Sequence, residues 1–162
     1  DYGLWGGFLV TLFFIIGLIG GCAGSTACSV KIFRYQIVFA SVTTQLRKIR
    51  SPNGVFIPRY DGRAIADDVL SSVMSFFIFF MVTLGVVAIL LGMSGLDFIT
   101  SLSASAAALA NIGPGLGDQV GPSGNYASLN DFAKWTLSAA MLIGRLELLA
   151  VYAILMPQFW RA

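Results

Sequence analysis

The run Asn111-Ile112-Gly113-Pro114-Gly115-Leu116-Gly117 holds no nucleophile and no ionisable side chain, yet its backbone can do chemistry. It follows a stretch of small residues, 96–110, that reads as a helix. Fifteen residues reach about 22 Å, short of a hydrocarbon core about 30 Å thick. Such a helix enters the membrane from one side and turns back. Irregular backbone at that depth survives only when it is buried in protein or lines a wet cavity. A half-helix ending in a glycine-rich loop directs its negative end and a row of carbonyls into that cavity, which suits a cation. The expected chemistry is ion coordination by one pore loop.

Two further constellations could act on a permeating ion. Arg145 falls near the middle of the last long apolar segment, where an arginine costs about 2.5–3.5 kcal/mol to insert. Glu147 lies two positions on, about 200° round a helix, so the two are poor partners for each other. A structural interhelical pair and a functional intramembrane charge both account for Arg145. The second constellation is Gly17, Gly20, Gly21 and Gly24, crowded into the end of the first apolar segment. Each glycine disfavours a helix by about 1 kcal/mol relative to alanine. Close helix packing on small residues is one reading. A break forming an intramembrane loop that moves across a permeation path is the other.

Enzymatic readings find no support in the residues. Gly24-Ser25 has no accompanying base for a nucleophile elbow, and neither glycine-rich run ends in the Gly-Lys-Ser/Thr of a phosphate-binding loop. The chain has no histidine, which excludes a histidine metal site or a neutral-pH histidine base. Cys22 and Cys28 sit in apolar surroundings and are expected as free thiols.

The elements that must position these residues follow from hydropathy. The chain is 57% hydrophobic and 11% charged, far from the charged quarter of soluble domains, with mean hydropathy +0.82. Three apolar segments, residues 4–27, 69–93 and 132–156, are each long enough to span a bilayer. Between the first two lies a connector, residues 31–68, with seven of the ten cationic residues. The positive-inside rule places it in the cytoplasm. It reads as a solvated topogenic loop rather than a surface for nucleic acid or anionic lipid. Ser51-Pro52-Asn53-Gly54 marks a turn within it. Asp67 and Asp68 read as a helix N-terminal pair. The next connector holds Asp97, Asp118 and Asp131 and no Lys or Arg, so it faces outside. Trp5, Tyr126, Trp135, Phe159 and Trp160 are expected in an aromatic belt at the interfaces. The chain opens at Asp1 without an initiator methionine or a basic leader, and is expected to be a piece of a longer polypeptide.

Four ordered motifs carry a family resemblance. They are Gly20-Gly21-Cys22-Ala23-Gly24-Ser25-Thr26, the Asn111–Gly117 run, Gly144-Arg145-Leu146-Glu147 and Pro157-Gln158-Phe159-Trp160-Arg161. Together they resemble the C-terminal part of the Trk-type potassium uptake transporters, relatives of the Ktr and HKT proteins. The resemblance covers essentially the whole chain. It implies an all-α membrane fold of four helix–pore-loop–helix units, like a fused potassium channel. Residues 1–30 would be the last helix of the third unit with its gate loop, residues 31–68 the cytoplasmic connector, and residues 69–162 the fourth unit. Asn111, Ile112 and Gly113 would form the fourth side of a selectivity filter, with Asn111 and Ile112 as ion ligands and Pro114 and Gly115 continuing it. Glycine permits the backbone angles that such carbonyls need, so serine or alanine at Gly113 should displace them. Gly20, Gly21, Gly24, Ser25 and Thr26 would belong to a gate loop beneath the filter. Arg145 would project towards that loop as a barrier to cations. The family continues this loop with glycines where this chain has Ala27-Cys28-Ser29, which points to a stiffer or shorter gate.

The resulting expectation is potassium uptake across a bacterial inner membrane by a multi-pass protein. No cofactor is implied beyond the transported potassium bound in the filter. The implied partners are a cytoplasmic nucleotide-binding regulatory subunit, a second copy in a homodimer and membrane lipid, with no nucleic acid. A non-transporting membrane scaffold and a sodium-permeable member of the same family are the alternatives.

Overall fold

The structure, a computed structural model, describes residues 5–21, 29–51, 54–146 and 148–155. It contains six helices in the order α1 (Gly7–Leu18), α2 (Ile32–Arg50), α3 (Asp67–Met93), α4 (Phe98–Ala110), α5 (Asp131–Arg145) and α6 (Leu148–Leu155). A two-stranded ribbon, β1 (Arg59–Tyr60) and β2 (Arg63–Ala64), lies between α2 and α3. Asp61 and Gly62 turn it with φ of 49° and 76°, the paired positive angles of a type I′ hairpin. This ribbon is the departure from an all-helical chain.

Helix α3 is the frame on which the rest is hung. Its 27 residues extend about 40 Å, and Asp67 and Asp68 lie in its first turn as expected. Val73, Phe76, Phe80, Thr83, Val87 and Leu91 recur at helical spacing and are buried. The opposite face exposes Ile78, Met81, Val82, Val86 and Ile89. A helix this long with apolar side chains all round suits a bilayer, and among the described residues it is the one helix long and apolar enough to cross alone.

The other two expected spans are interrupted. The first was expected over residues 4–27, but α1 occupies 12 residues and gives way to extended backbone at Ile19. Gly17, Gly20 and Gly21 weaken the helix here, and the chain finds other bonds: Ile19 pairs with Val30, Gly20 N–H donates to the Val30 carbonyl at 2.9 Å, and Ile32 N–H donates to Gly21 at 3.2 Å. Between the two open readings, the helix breaks, and the stretches on either side of residues 22–28 lie side by side. The third span was expected to be continuous over residues 132–156. Instead α5 ends at Arg145, and α6 begins at Leu148 after a turn at Leu146. Helix α6 turns onto α3, where the Thr83 and Tyr152 hydroxyls are 2.8 Å apart and Tyr152 packs on Phe79 with ring centroids 4.7 Å apart.

The basic connector is also more ordered than a solvated loop. Ile32, Tyr35, Phe39, Val42, Leu46 and Ile49 repeat at three- and four-residue intervals, which makes α2 a helix of 19 residues. Arg47, Lys48 and Arg50 sit in its last turn, where the macrodipole favours cations. It is seated on α3 by the Arg34 guanidinium over the Phe76 ring at 4.0 Å and by an edge-on Tyr35–Phe77 pair at 5.5 Å. A count of charges hides this apolar periodicity.

Candidate functional site: the loop behind α4

Helix α4 is built to be enclosed. Asp97 caps its start by accepting a hydrogen bond from the Thr100 N–H at 3.3 Å. Bonds from the Thr100 side chain and backbone hold the Asp97 carboxyl below the usual carboxylate range. Ten of the thirteen residues are buried, between α3 and α5, and most are Ala or Ser. Small side chains let neighbouring backbones approach closely. The extreme case is Gly144 of α5, whose position leaves no room for a Cβ beside the Leu109 carbonyl. At about 20 Å, α4 is too short to span, and the protein around it satisfies the condition for ending at membrane depth.

The helix ends by a left-handed cap. Asn111 has φ 52° and ψ 41°, and its N–H with that of Ile112 closes on the carbonyls of Ala107 and Ala108. The Asn111 side-chain amide donates to the Met141 carbonyl of α5 at 3.1 Å. Its amide is thus engaged by α5, and a ligand role for Asn111 falls to its backbone carbonyl. The side chain of Ile112 goes to α1, where a Cβ on Gly17 would stand 2.9 Å from Ile112 Cδ1. Gly113 has φ 107° with open space about its missing Cβ, so conformation rather than crowding requires glycine there.

Beyond Gly113 the loop returns to α4. Gly115 N–H donates to the Val120 carbonyl at 2.6 Å, and a Cβ on Gly115 would press on Val120 and the Ser103–Ala104 backbone. The buried Ser103 hydroxyl accepts from Leu116 N–H at 2.9 Å and lies 3.2 Å from the Leu116 carbonyl. Gly117 has φ 100°, and its carbonyl accepts from Gly121 N–H at 2.8 Å. Residues 111–114 are exposed, while Gly115 is buried. A small cavity of about 160 Å³ separates the loop from α1, lined by residues that include Phe13, Gly17, Ile112 and Pro114.

Tyr126 has a partner that sequence reasoning did not anticipate. It is half-buried, and its hydroxyl donates to the Gly113 carbonyl at 2.6 Å. Ser103 and Gly144 were not singled out as loop supports. The small-residue composition of α4 was the available signal, because a helix of Ala and Ser admits a neighbour only where that neighbour is also small.

The other expected site residues are distributed as follows. Gly20 and Gly21 bond to Val30 and Ile32 as described above, whereas Gly24, Ser25 and Thr26 lie outside the described residues. Arg145 is exposed at the last position of α5, not mid-helix, and Leu146 N–H closes the turn on the Leu142 carbonyl. Most of the loop it was expected to approach, residues 22–28 of 20–29, lies outside the described residues, as does Glu147. No cluster of metal-binding side chains occurs among the described residues, so coordination at this site would rest on backbone oxygen.

The family described as TrkH, cation transport protein, matches residues 1–160. The chain belongs to the TrkH family. The Trk system potassium uptake protein TrkI of Halomonas elongata is 46% identical over 161 residues, which cover 99% of this chain and 33% of that protein. The Trk system potassium uptake protein TrkH of Salmonella typhimurium is 35% identical over 157 residues, covering 97% and 32%. The crystal structure of the potassium transporter TrkH from Vibrio parahaemolyticus superposes with a TM-score of 0.86 at 34% identity, over 96% of this chain and 33% of that one. The chain spans about a third of the length of these relatives. The chain shares the helical architecture of that structure.

Proposed function

We propose that this chain contributes one side of a potassium pathway, with the carbonyls of Asn111, Ile112 and Gly113 as its part of a selectivity filter and Pro114 and Gly115 continuing the wall. One observation carries this reading. A helix enclosed on its sides by α3 and α5 delivers, at its negative end, four consecutive residues that this chain leaves uncovered. A helix serving packing alone would have no use for a loop held open by positive φ at Asn111, Gly113 and Gly117. Uncovered carbonyls at membrane depth need either water or an ion. The relatives are named for potassium uptake, which makes potassium the ion of choice.

One loop is one wall. The remaining walls come from three further loops of a longer, multi-pass inner-membrane protein. The interruption of α1 supports reading Gly20 and Gly21 as the start of a gate segment to which Gly24, Ser25 and Thr26 would also belong, with Arg145 as its cationic counterpart. The basic connector lies on the cytoplasmic side, available to a nucleotide-binding regulatory subunit, and the full-length protein works as a homodimer.

The test is ion flux through the full-length protein in liposomes. Gly113→Ser is expected to reduce potassium-over-sodium discrimination while the protein still assembles, because serine resists φ 107°. Unchanged selectivity would remove Gly113 from the filter. Selective potassium flux through residues 1–162 alone would equally sink the four-loop arrangement.

A further inference from the structure

Gly113 is flanked by residues whose N–H and amide donors are already held by neighbours. On one side the Asn111 amide is tied to Met141, and Ile112 N–H is tied to Ala107. On the other, Gly115 N–H is tied to Val120 and Leu116 to Ser103. Gly113 itself lacks a side chain, and Pro114 has no N–H. The peptide between them therefore has a single strong handle, its carbonyl oxygen, and that oxygen receives the Tyr126 hydroxyl at 2.6 Å.

Tyr126 is itself rigidly presented. It sits at φ 57°, its N–H reaches the Gln119 carbonyl at 3.4 Å, and its carbonyl accepts from Leu129 N–H at 3.2 Å. Its ring packs on the apolar core. Gly124 permits this return, since a Cβ there would collide with the Gln119 backbone. A tyrosine has two side-chain torsions, so fixing its backbone and ring fixes the hydroxyl.

We infer that Tyr126 is a positioning residue for ion selectivity: its hydroxyl sets the direction of the Gly113 carbonyl and stops that oxygen from closing on a smaller ion. A carbonyl oxygen has two lone pairs, so one can hold the phenol while the other faces the pathway. Preference for potassium over sodium requires that the oxygens not follow the smaller ion inwards. A hydroxyl anchored thirteen residues away resists that movement. This role rests on the filter reading of residues 111–115.

The experiment compares Tyr126→Phe, Gly113→Ser and the 3-fluorotyrosine replacement of Tyr126 in the full-length protein, with relative potassium, rubidium and sodium fluxes as the readout. Phenylalanine keeps the ring and its packing and deletes only the donor. A net hydrogen bond corresponds to about a two- to tenfold change, which is the expected loss in the potassium-to-sodium flux ratio, at unchanged thermal stability. Fluorotyrosine, a stronger donor of the same shape, is expected to preserve or raise the ratio. Should Tyr126→Phe leave every ratio unchanged while Gly113→Ser lowers potassium preference, the inference about Tyr126 fails and the filter reading stands. Should neither alter selectivity, the filter reading itself fails and takes the inference with it. Should Tyr126→Phe not assemble, fluorotyrosine decides: a preserved or raised ratio supports the positioning role, and a lowered one overturns it.

Discussion

Gly144 of α5 rests against the backbone of Leu109, the penultimate residue of α4, with no room for a Cβ between them. Three residues earlier on α5, the Met141 carbonyl takes the Asn111 amide. The last turn of α5 and the cap of α4 therefore form one joint, and the exposed loop starts from it. Whatever moves α5 at Gly144 also moves the first carbonyls of that loop.

Gly144→Ala should therefore act at a distance of several residues. Overpacking a close helix contact costs about 1–3 kcal/mol, with backbone displacement as the relief. The expected result is a lower unfolding temperature of the full-length protein in detergent together with altered potassium selectivity. A variant with wild-type stability and wild-type selectivity would show that the Gly144–Leu109 approach is not needed.

Gly17 and Ile112 offer a paired test. The Cβ missing at Gly17 would stand 2.9 Å from Ile112 Cδ1, the far end of a side chain that can shift or be shortened. Gly17→Ala alone should press Ile112 into the loop and lower flux, and Ile112→Val alone should have a small effect. Their combination should recover most of the loss, because the methyl added on α1 fills the space vacated by the one removed. Strict additivity of the two flux changes would mean that the residues do not communicate.

Much of this arrangement could be read from the sequence. The end of the half-length helix, the run behind it and α3 all announce themselves through length and composition. Four other features did not. The break after Leu18 was one of two open readings, because glycines serve packing and breakage alike. The break after Arg145 depends on α6 finding Thr83 and Phe79 on α3, a tertiary contact that no local pattern encodes. Helix α2 was hidden by its charges although its apolar residues keep helical spacing. The residue type of Tyr126 said nothing of its positive φ or of its partner Gly113, which depend on the return path of the loop.

Ser103 is expected to be worth more than a typical serine. Its buried hydroxyl serves the Leu116 N–H and carbonyl, and a methyl in its place would strand the N–H without a partner. Leaving a buried donor unmade costs about 1–3 kcal/mol. Ser103→Ala should lower thermal stability by that order and loosen the loop after Gly115. Hydrogen exchange at Leu116 is the direct readout: protection there unchanged by the substitution would contradict the assignment.

Acid should weaken the start of α4. Bonds from Thr100 depress the Asp97 carboxyl in the folded protein, so its contribution is present above the unfolded carboxylate pKa and is lost as pH falls through the lower folded value. The window lies below about pH 4. Asparagine at this position caps a helix without titrating. Asp97→Asn is expected to flatten the acid limb of the thermal stability profile while leaving neutral-pH stability close to wild type. An acid limb as steep as before would assign it to other carboxylates.

Arg145 provides the sharpest test of gating. It ends α5 where the third apolar segment is interrupted, and the same segment continues as α6 towards α3. Interrupting a helix exposes carbonyls, and a guanidinium with five donors suits them. A fixed positive charge in a narrow, poorly hydrated passage repels a cation strongly, because low dielectric leaves the repulsion unscreened. Arg145→Ala is expected to raise flux and reduce dependence on the cytoplasmic regulatory subunit, and Arg145→Lys should retain most of the block because the charge remains. The measurement is potassium flux in liposomes with and without that subunit. If alanine abolishes assembly and lysine restores assembly with unchanged flux, Arg145 is a structural member of the α5–α6 joint and the barrier must lie elsewhere.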